Sequence, residues 1–223
     1  MVALEENYKA VWDRIKEAAK KSGRHPQDVK IIAVSKYISP DSIKAAKELG
    51  LNDFGENRLQ EALPKITALP PDINWHFVGH LQTNKVKDVL DYFSMVHSLD
   101  RMSLAQALEK AARKKNTIMP VLVQVNASGE KSKYGLDPKE LEDFLGEVKD
   151  FSGMKIKGLM TMAPLVDDPE ETRPVFAKLR NLKEQINVPS IELDYLSMGM
   201  TNDFQIAIEE GSNMVRIGTA IFG

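Results

Sequence analysis

The chain has 223 residues, 43% of them hydrophobic and 28% charged, a balance that suits one substantial buried core and one domain over 1–223. Its formal net charge of −2 and pI near 6.1 exclude the basic excess that marks a nucleic-acid or anionic-membrane binder. Without cysteine there are no disulfides and no thiol catalysis, and no apolar run reaches the length of a membrane span, so a cytoplasmic location is expected.

Residues 4–21 set Leu4, Tyr8, Val11, Trp12, Ile15 and Ala19 at helical spacing, and Ser22-Gly23 closes the helix. This opening stretch is amphipathic and charged, unlike the apolar core of a secretion signal. Apolar strand-like runs follow at 31–35, 53–55, 75–78, 95–98, 119–125, 156–160, 195–197 and 214–217. Amphipathic stretches at 40–49, 58–68, 84–92, 102–115, 138–149, 169–186 and 203–210 alternate with them. Ser39-Pro40, Asp137-Pro138 and Asp168-Pro169 are helix-opening pairs, a capping oxygen followed by a proline that needs no amide hydrogen. Eight strands with helical crossovers, in this length, predict a (β/α)8 barrel, with a doubly wound open sheet as the competing architecture. The sequence after the eighth strand is too short for a full last helix, and the leading helix is expected to pack where that helix would close the ring.

Lys36 ends the first strand, Ile31-Ile32-Ala33-Val34-Ser35-Lys36. An amine held in a dry pocket loses solvation, its pKa falls, and the neutral form attacks carbonyls. A lysine that snorkels its head into water is the competing reading. Ser197-Met198-Gly199-Met200-Thr201 and Val215-Arg216-Ile217-Gly218-Thr219 flank the ends of strands seven and eight, where barrels hold phosphate. There the amides and hydroxyls of Gly199, Thr201, Gly218 and Thr219, with a helix beginning at 203, can converge on an anion. The alternative is that these glycines only make turns.

Arg216 lies within strand eight, where an inward guanidinium is costly without a ligand or partner; Glu56 and Asp194 are the carboxylates that would serve a salt bridge. Asn57, after strand two, either bonds a ligand's ring substituent or caps the next helix. His80, Gln82, Asn84 and Lys85 form a polar cluster suited to a pocket mouth. His76 and His80 are four apart, a spacing that shares a face only on a helix, so no metal site is expected. His97 and His25 have no carboxylate partner in sequence and read as structural. The polar loop 126–135 carries lysines that attract an anion or are simply solvated. Met160, Met162 and Met198 read as core filler.

Six segments in order resemble the pyridoxal phosphate homeostasis protein family: Ala33-Val34-Ser35-Lys36, Phe54-Gly55-Glu56-Asn57, the run from Trp75 to Lys85, Gly158-Leu159-Met160-Thr161-Met162, Ser197-Met198-Gly199-Met200, and the run from Val215 to Gly223. That family is similar in fold to the alanine racemase barrel, so the resemblance implies a TIM-type barrel of the fold type III class with an extra N-terminal helix. It implies pyridoxal 5′-phosphate held as an aldimine on Lys36, with Arg216 facing the pyridine nitrogen and Asn57 flanking the ring. Ser197, Met198, Gly199, Thr201, Gly218 and Thr219 match the phosphate positions, and His80 the rim.

An arginine beside the pyridine nitrogen disfavours its protonation and weakens the ring as an electron sink. A racemase also needs two positioned acid–base groups, and the resemblance implies that its second, a tyrosine, comes from an additional domain this chain lacks. Tyr37 and Tyr134 are the nearby tyrosines, and neither matches that pattern. The expectation is therefore a monomeric carrier without catalytic residues of its own, which supplies the cofactor to apo-enzymes and binds no nucleic acid, membrane or metal. Racemase activity is the runner-up; an aldolase-type Schiff-base barrel is a third reading.

Overall fold

The computed structural model describes residues 2–130 and 132–223. Eight strands, β1 (Lys30–Val34), β2 (Asp53–Glu56), β3 (Asn74–Phe77), β4 (Met95–Leu99), β5 (Met119–Gln124), β6 (Met154–Met160), β7 (Tyr195–Ser197) and β8 (Met214–Ile217), pair in sequence order. All pairings are parallel, and β8 returns to β1 through the Ile32–Arg216 register, which closes the barrel. The open doubly wound sheet is thereby excluded. Helices α1 (Val2–Lys21), α2 (Pro40–Glu48), α3 (Leu59–Ala68), α4 (Val86–Tyr92), α5 (Met102–Lys115), α6 (Leu141–Val148), α7 (Arg173–Gln185), α8 (Phe204–Glu209) and α9 (Thr219–Phe222) complete the fold.

Capping chemistry fixes several helix starts. The Ser39 hydroxyl accepts from the amide of Ser42, and the carboxylates of Asp137 and Asp168 accept from the amides of Lys139 and Glu170. After both aspartates the first turn winds as a tight 3-10 turn, at Pro138–Glu140 and Pro169–Thr172, before α6 and α7 begin. The stretch 84–92 divides the same way, with a 3-10 turn at Thr83–Lys85 ahead of α4. Short 3-10 turns are common at helix starts, and residue periodicity does not separate them from α-helix.

Strand alternation sorts the side chains into two cores. One lies between the barrel and its helices, where Ile31, Ala33, Phe54, Trp75, Phe77, Val121 and Val123 pack against residues such as Ile43, Leu104 and Phe176. The apolar cluster inside the barrel is small, built from Ile32, Leu122, Met160 and Met214. Around it the interior is polar: His76, His97, Ser197 and Arg216 are all buried.

The leading helix α1 packs on α8 and α9, as its sequence position suggests. Its Arg14 guanidinium sits 4.3 Å over the Phe204 ring and donates to Gln205 Oε1 at 2.9 Å, and Asn7 donates to the carbonyl of Ile221 at 3.3 Å. Just past its end, Arg24 Nη1 donates to the carbonyls of Ile208 (3.1 Å) and Ser212 (2.7 Å). Because α9 is only four residues long, α1 covers the seam that a full eighth crossover helix would cover.

Candidate cofactor-binding site

A cavity of about 800 Å³ opens at the C-terminal ends of β1, β7 and β8, lined among others by Lys36, Tyr37, Thr201, Arg216, Gly218 and Thr219. Parallel barrels gather their functional groups at this end. Lys36 and Arg216, over a hundred and seventy residues apart in sequence, therefore share one wall because β1 pairs β8.

Lys36 stands two residues beyond the end of β1 and is exposed. The dry pocket expected around its amine is not supplied by the strand: Ser35 is buried, and the chain then turns outward. The amide of Ile38 donates to the carbonyl of Ser35 at 3.0 Å, closing a turn with Lys36 and Tyr37 at its corners. Tyr37 has φ +63°, a left-handed conformation that non-glycine residues adopt at a cost.

Beneath the turn, Ser35 is held at every polar atom. Its amide donates to Gly55 O (3.0 Å), its hydroxyl to Glu56 Oε1 (2.6 Å), and its carbonyl also accepts from Lys65 Nζ at 2.7 Å. Lys65 in turn pairs with Glu56 at 2.8 Å, both buried between β2 and α3. A buried ion pair thus fixes the backbone from which Lys36 projects. Glu56 is committed to Lys65, and Asp194 to Lys157, so neither is the partner of Arg216.

Arg216 is buried, and loss of solvation pulls its pKa down to about 10, with nearby Asp203 acting in the opposite sense. It remains a cation at neutral pH. Its Nη1 donates to Ser197 Oγ at 2.7 Å and its Nη2 to the carbonyl of Thr161 at 2.9 Å. Asp203 also lines the cavity; burial raises its pKa, against the amide of Met200, which donates to Oδ1 at 2.6 Å, and the charge of Arg216.

The phosphate segments expected from the sequence divide into two groups. Thr201, Gly218 and Thr219 line the cavity, and α9 starts from Gly218, with the amide of Ala220 in its first turn donating to the Thr201 hydroxyl at 3.4 Å. Ser197 and Met198 do not line it: the Ser197 hydroxyl is bonded to Arg216 and His97, and the amide of Met198 donates to Met214 O. Their side of the strand end faces the interior and the outer core. Gly199 is required by close packing, since at φ +91° an added Cβ would lie 2.6 Å from the Ala207 Cβ and 2.8 Å from the Phe204 Cα.

Asn57 lies at the end of β2, half-buried, and does not line this cavity. It does not cap α3 either; Arg58 occupies that place without a side-chain capping bond, its guanidinium donating to Glu61 at 3.1 Å. His80 stacks on Tyr134 at 4.0 Å between ring centroids, and its Nδ1 lies 3.3 Å from Asp100 Oδ2. Among the described residues Gln82, Asn84 and Lys85 make no side-chain hydrogen bond or ion pair with it; its partners are Tyr134 and Asp100. In the loop 126–135, Lys133 pairs with Glu130 at 2.6 Å, while Lys131 lies outside the described residues.

Sequence reading missed Pro164, Leu165 and Val166, which line the cavity after β6, and the bonds of the two interior histidines. Among the described residues His97 bonds no carboxylate directly; it bonds His76 (2.9 Å) and Ser197 (3.0 Å), and His76 bonds Asp53 (3.0 Å). Strand alternation was the usable signal: His76 lies between the outward-facing Trp75 and Phe77, so it must face inward.

Comparison with known proteins agrees with the barrel fold. The model of the alanine racemase N-terminal domain matches residues 6–223. The pyridoxal phosphate homeostasis protein of Aquifex aeolicus is 42% identical, covering 98% of this chain and 96% of the relative. That of Pseudomonas aeruginosa is 41% identical, over 100% and 96%. Among solved structures, PipY of Synechococcus elongatus PCC7942 with PLP bound is 36% identical with a TM-score of 0.81, covering 94% of this chain and all of that one. An alanine racemase of Clostridium difficile shares the fold, with a TM-score of 0.81 at 14% identity over 100% of this chain and 57% of that one. The molecule is thus a barrel of the alanine racemase type. Within that class, the chain belongs to the pyridoxal phosphate homeostasis protein family.

Proposed function

We propose that this protein is a carrier of pyridoxal 5′-phosphate: it holds the cofactor as a Schiff base on Lys36, keeps the aldehyde from indiscriminate reaction with amines, and supplies it to apo-enzymes in the cytoplasm. The observation that carries the reading is that Lys36 and the buried Arg216 line one cavity, with Thr201, Gly218 and Thr219 on the same wall. Each matches a part of the ligand. An amine suits the aldehyde, a donor-only guanidinium suits an unprotonated ring nitrogen, and hydroxyls and loop amides suit a phosphate. In enzymes that use it, this cofactor supplies an electron sink; a cationic Arg216 beside the ring weakens that property.

Racemization would need an acid–base group on each face of the substrate. Tyr37 lines the cavity but is 76% exposed, and Tyr134 is stacked on His80. Neither is held as a buried, positioned acid, which favours the carrier reading. The family resemblance implies a place beside the ring for Asn57 and phosphate contacts for Ser197, Met198 and Gly199; because none of the four lines the cavity, this reading gives them a supporting part instead.

The test is the absorption spectrum of the purified protein with added pyridoxal phosphate. A visible band should be present, collapse on borohydride reduction, leave a lysine adduct at Lys36 by mass spectrometry, and be lost in Lys36→Ala. The loaded protein should reactivate an apo-enzyme and leave the optical rotation of L-amino acids unchanged. A wild-type protein without the band, or one that racemizes amino acids in a Lys36-dependent way, would overturn the proposal.

A further inference from the structure

The polar interior of the barrel is a single connected path. Arg216 Nη1 meets Ser197 Oγ (2.7 Å), Ser197 Oγ meets His97 Nδ1 (3.0 Å), His97 Nε2 meets His76 Nδ1 (2.9 Å), and His76 Nε2 meets Asp53 Oδ1 (3.0 Å). Lys30 Nζ joins at the far end, 3.3 Å from the same Asp53 oxygen. The path crosses from β8 through β7, β4 and β3 to the first residue of β2, so it links the cavity to the opposite end of the barrel.

Hydrogen-bond bookkeeping gives the path one direction. A guanidinium only donates, so Ser197 accepts from Arg216. The Ser197 hydroxyl is buried, and its remaining partner is His97, so its own proton goes to His97 Nδ1; otherwise that O–H would be left unpaired at a cost. His97 is wholly buried, and desolvation first, then nearby positive charge that includes Arg216 and Lys30, holds its pKa well below the usual histidine value. It is therefore neutral, and with Nδ1 accepting, its proton lies on Nε2. His76 Nδ1 then accepts, and His76 Nε2–H donates to the Asp53 carboxylate.

We infer that Ser197, His97, His76 and Asp53 are positioning residues for Arg216: a one-way chain of donors, running from a buried cation to a carboxylate at the far end of the barrel, fixes the guanidinium's orientation toward the ligand in the cavity. Arg216 has no direct carboxylate partner among the described residues. The chain supplies its counter-charge by successive polarisation, and with Thr161 O it clamps both terminal nitrogens. The direction of the chain is independent of the cofactor; the consequence for ligand binding rests on the carrier reading above.

Two measurements test this. In the cofactor-free protein, histidine side-chain ¹⁵N–¹H correlation spectra should show His97 and His76 both as neutral Nε2–H tautomers at neutral pH; a proton on His97 Nδ1 would overturn the proposal. The second is a double-mutant cycle of Ser197→Ala and Asp53→Asn, with pyridoxal phosphate affinity and the absorption maximum of the bound form as readouts and circular dichroism to confirm folding. Each single variant should weaken binding roughly fivefold, about the effect of one weakened hydrogen bond. The effect of Asp53→Asn should vanish in the Ser197→Ala background, because the link is already cut. Additive effects, or none, would mean that Asp53 acts through space or not at all, and would overturn the inference. If the wild-type protein binds no pyridoxal phosphate, the carrier reading fails and with it the ligand-positioning role, while the tautomer spectra still decide the direction of the chain.

Discussion

Lys65 shows how one buried residue can hold a site it does not touch. Its ammonium reaches the carbonyl of Ser35 and the carboxylate of Glu56, and the second Glu56 oxygen is buried with no partner among the described residues. Removing one member of a buried pair strands the other's charge. Lys65→Met should therefore cost about 3–5 kcal/mol in urea unfolding, and adding Glu56→Leu should recover much of it. His97 carries a pH dependence of definite sign. Its folded-state pKa lies well below the unfolded value of about 6.5, first through burial and then through nearby positive charge. Above the unfolded value the group costs nothing; as pH falls below it the unfolded state gains a proton that the folded state refuses, so stability declines. Unfolding free energy measured from pH 7.5 down to 5 should fall, and His97→Asn should flatten this decline.

At the scale of elements, α1 and the C-terminal segment depend on one another. Arg24 caps the end of α8 and the turn after it by donating to Ile208 O and Ser212 O, both residues being buried. Arg24→Ala should destabilise by about 1–3 kcal/mol, the cost of leaving such acceptors unpaired. For a chain of this size that corresponds to a melting temperature lower by about 3–10 °C, read by calorimetry. The elements themselves were legible because their signals are local. Alternation and apolar runs marked all eight strands, and the serine and aspartate caps before prolines stand where they were read. What the pattern did not separate was 3-10 from α-helical first turns, or the point at which β1 ends. That point matters, since it places Lys36 in an exposed turn instead of a dry strand end.

As a whole molecule, the closed barrel buries its strand edges by pairing β8 with β1, so the sheet offers no open edge to a second copy. No described helix is long and apolar enough to cross a membrane. In keeping with the carrier proposal, sedimentation velocity should give a monomer of about the 25.0 kDa chain mass, loaded or not. A stable dimer would overturn that expectation and direct the search for its contact to Tyr37 and Leu165, the exposed apolar side chains at the cavity mouth.

The sequence by itself determined the barrel, the order of its strands and the candidate anchor Lys36, because periodicity, caps and the order of motifs are written in neighbouring residues. It also placed Arg216 within the eighth strand. Tertiary structure alone decided what these groups meet. Glu56 and Asp194, the sequence's choices to pair with Arg216, are taken by lysines, and Ser197 serves the interior instead of the cavity wall. The path from Arg216 to Asp53 joins five strands whose residues are up to 163 positions apart, from 53 to 216. Such contacts are fixed by register and barrel closure, which no local pattern encodes.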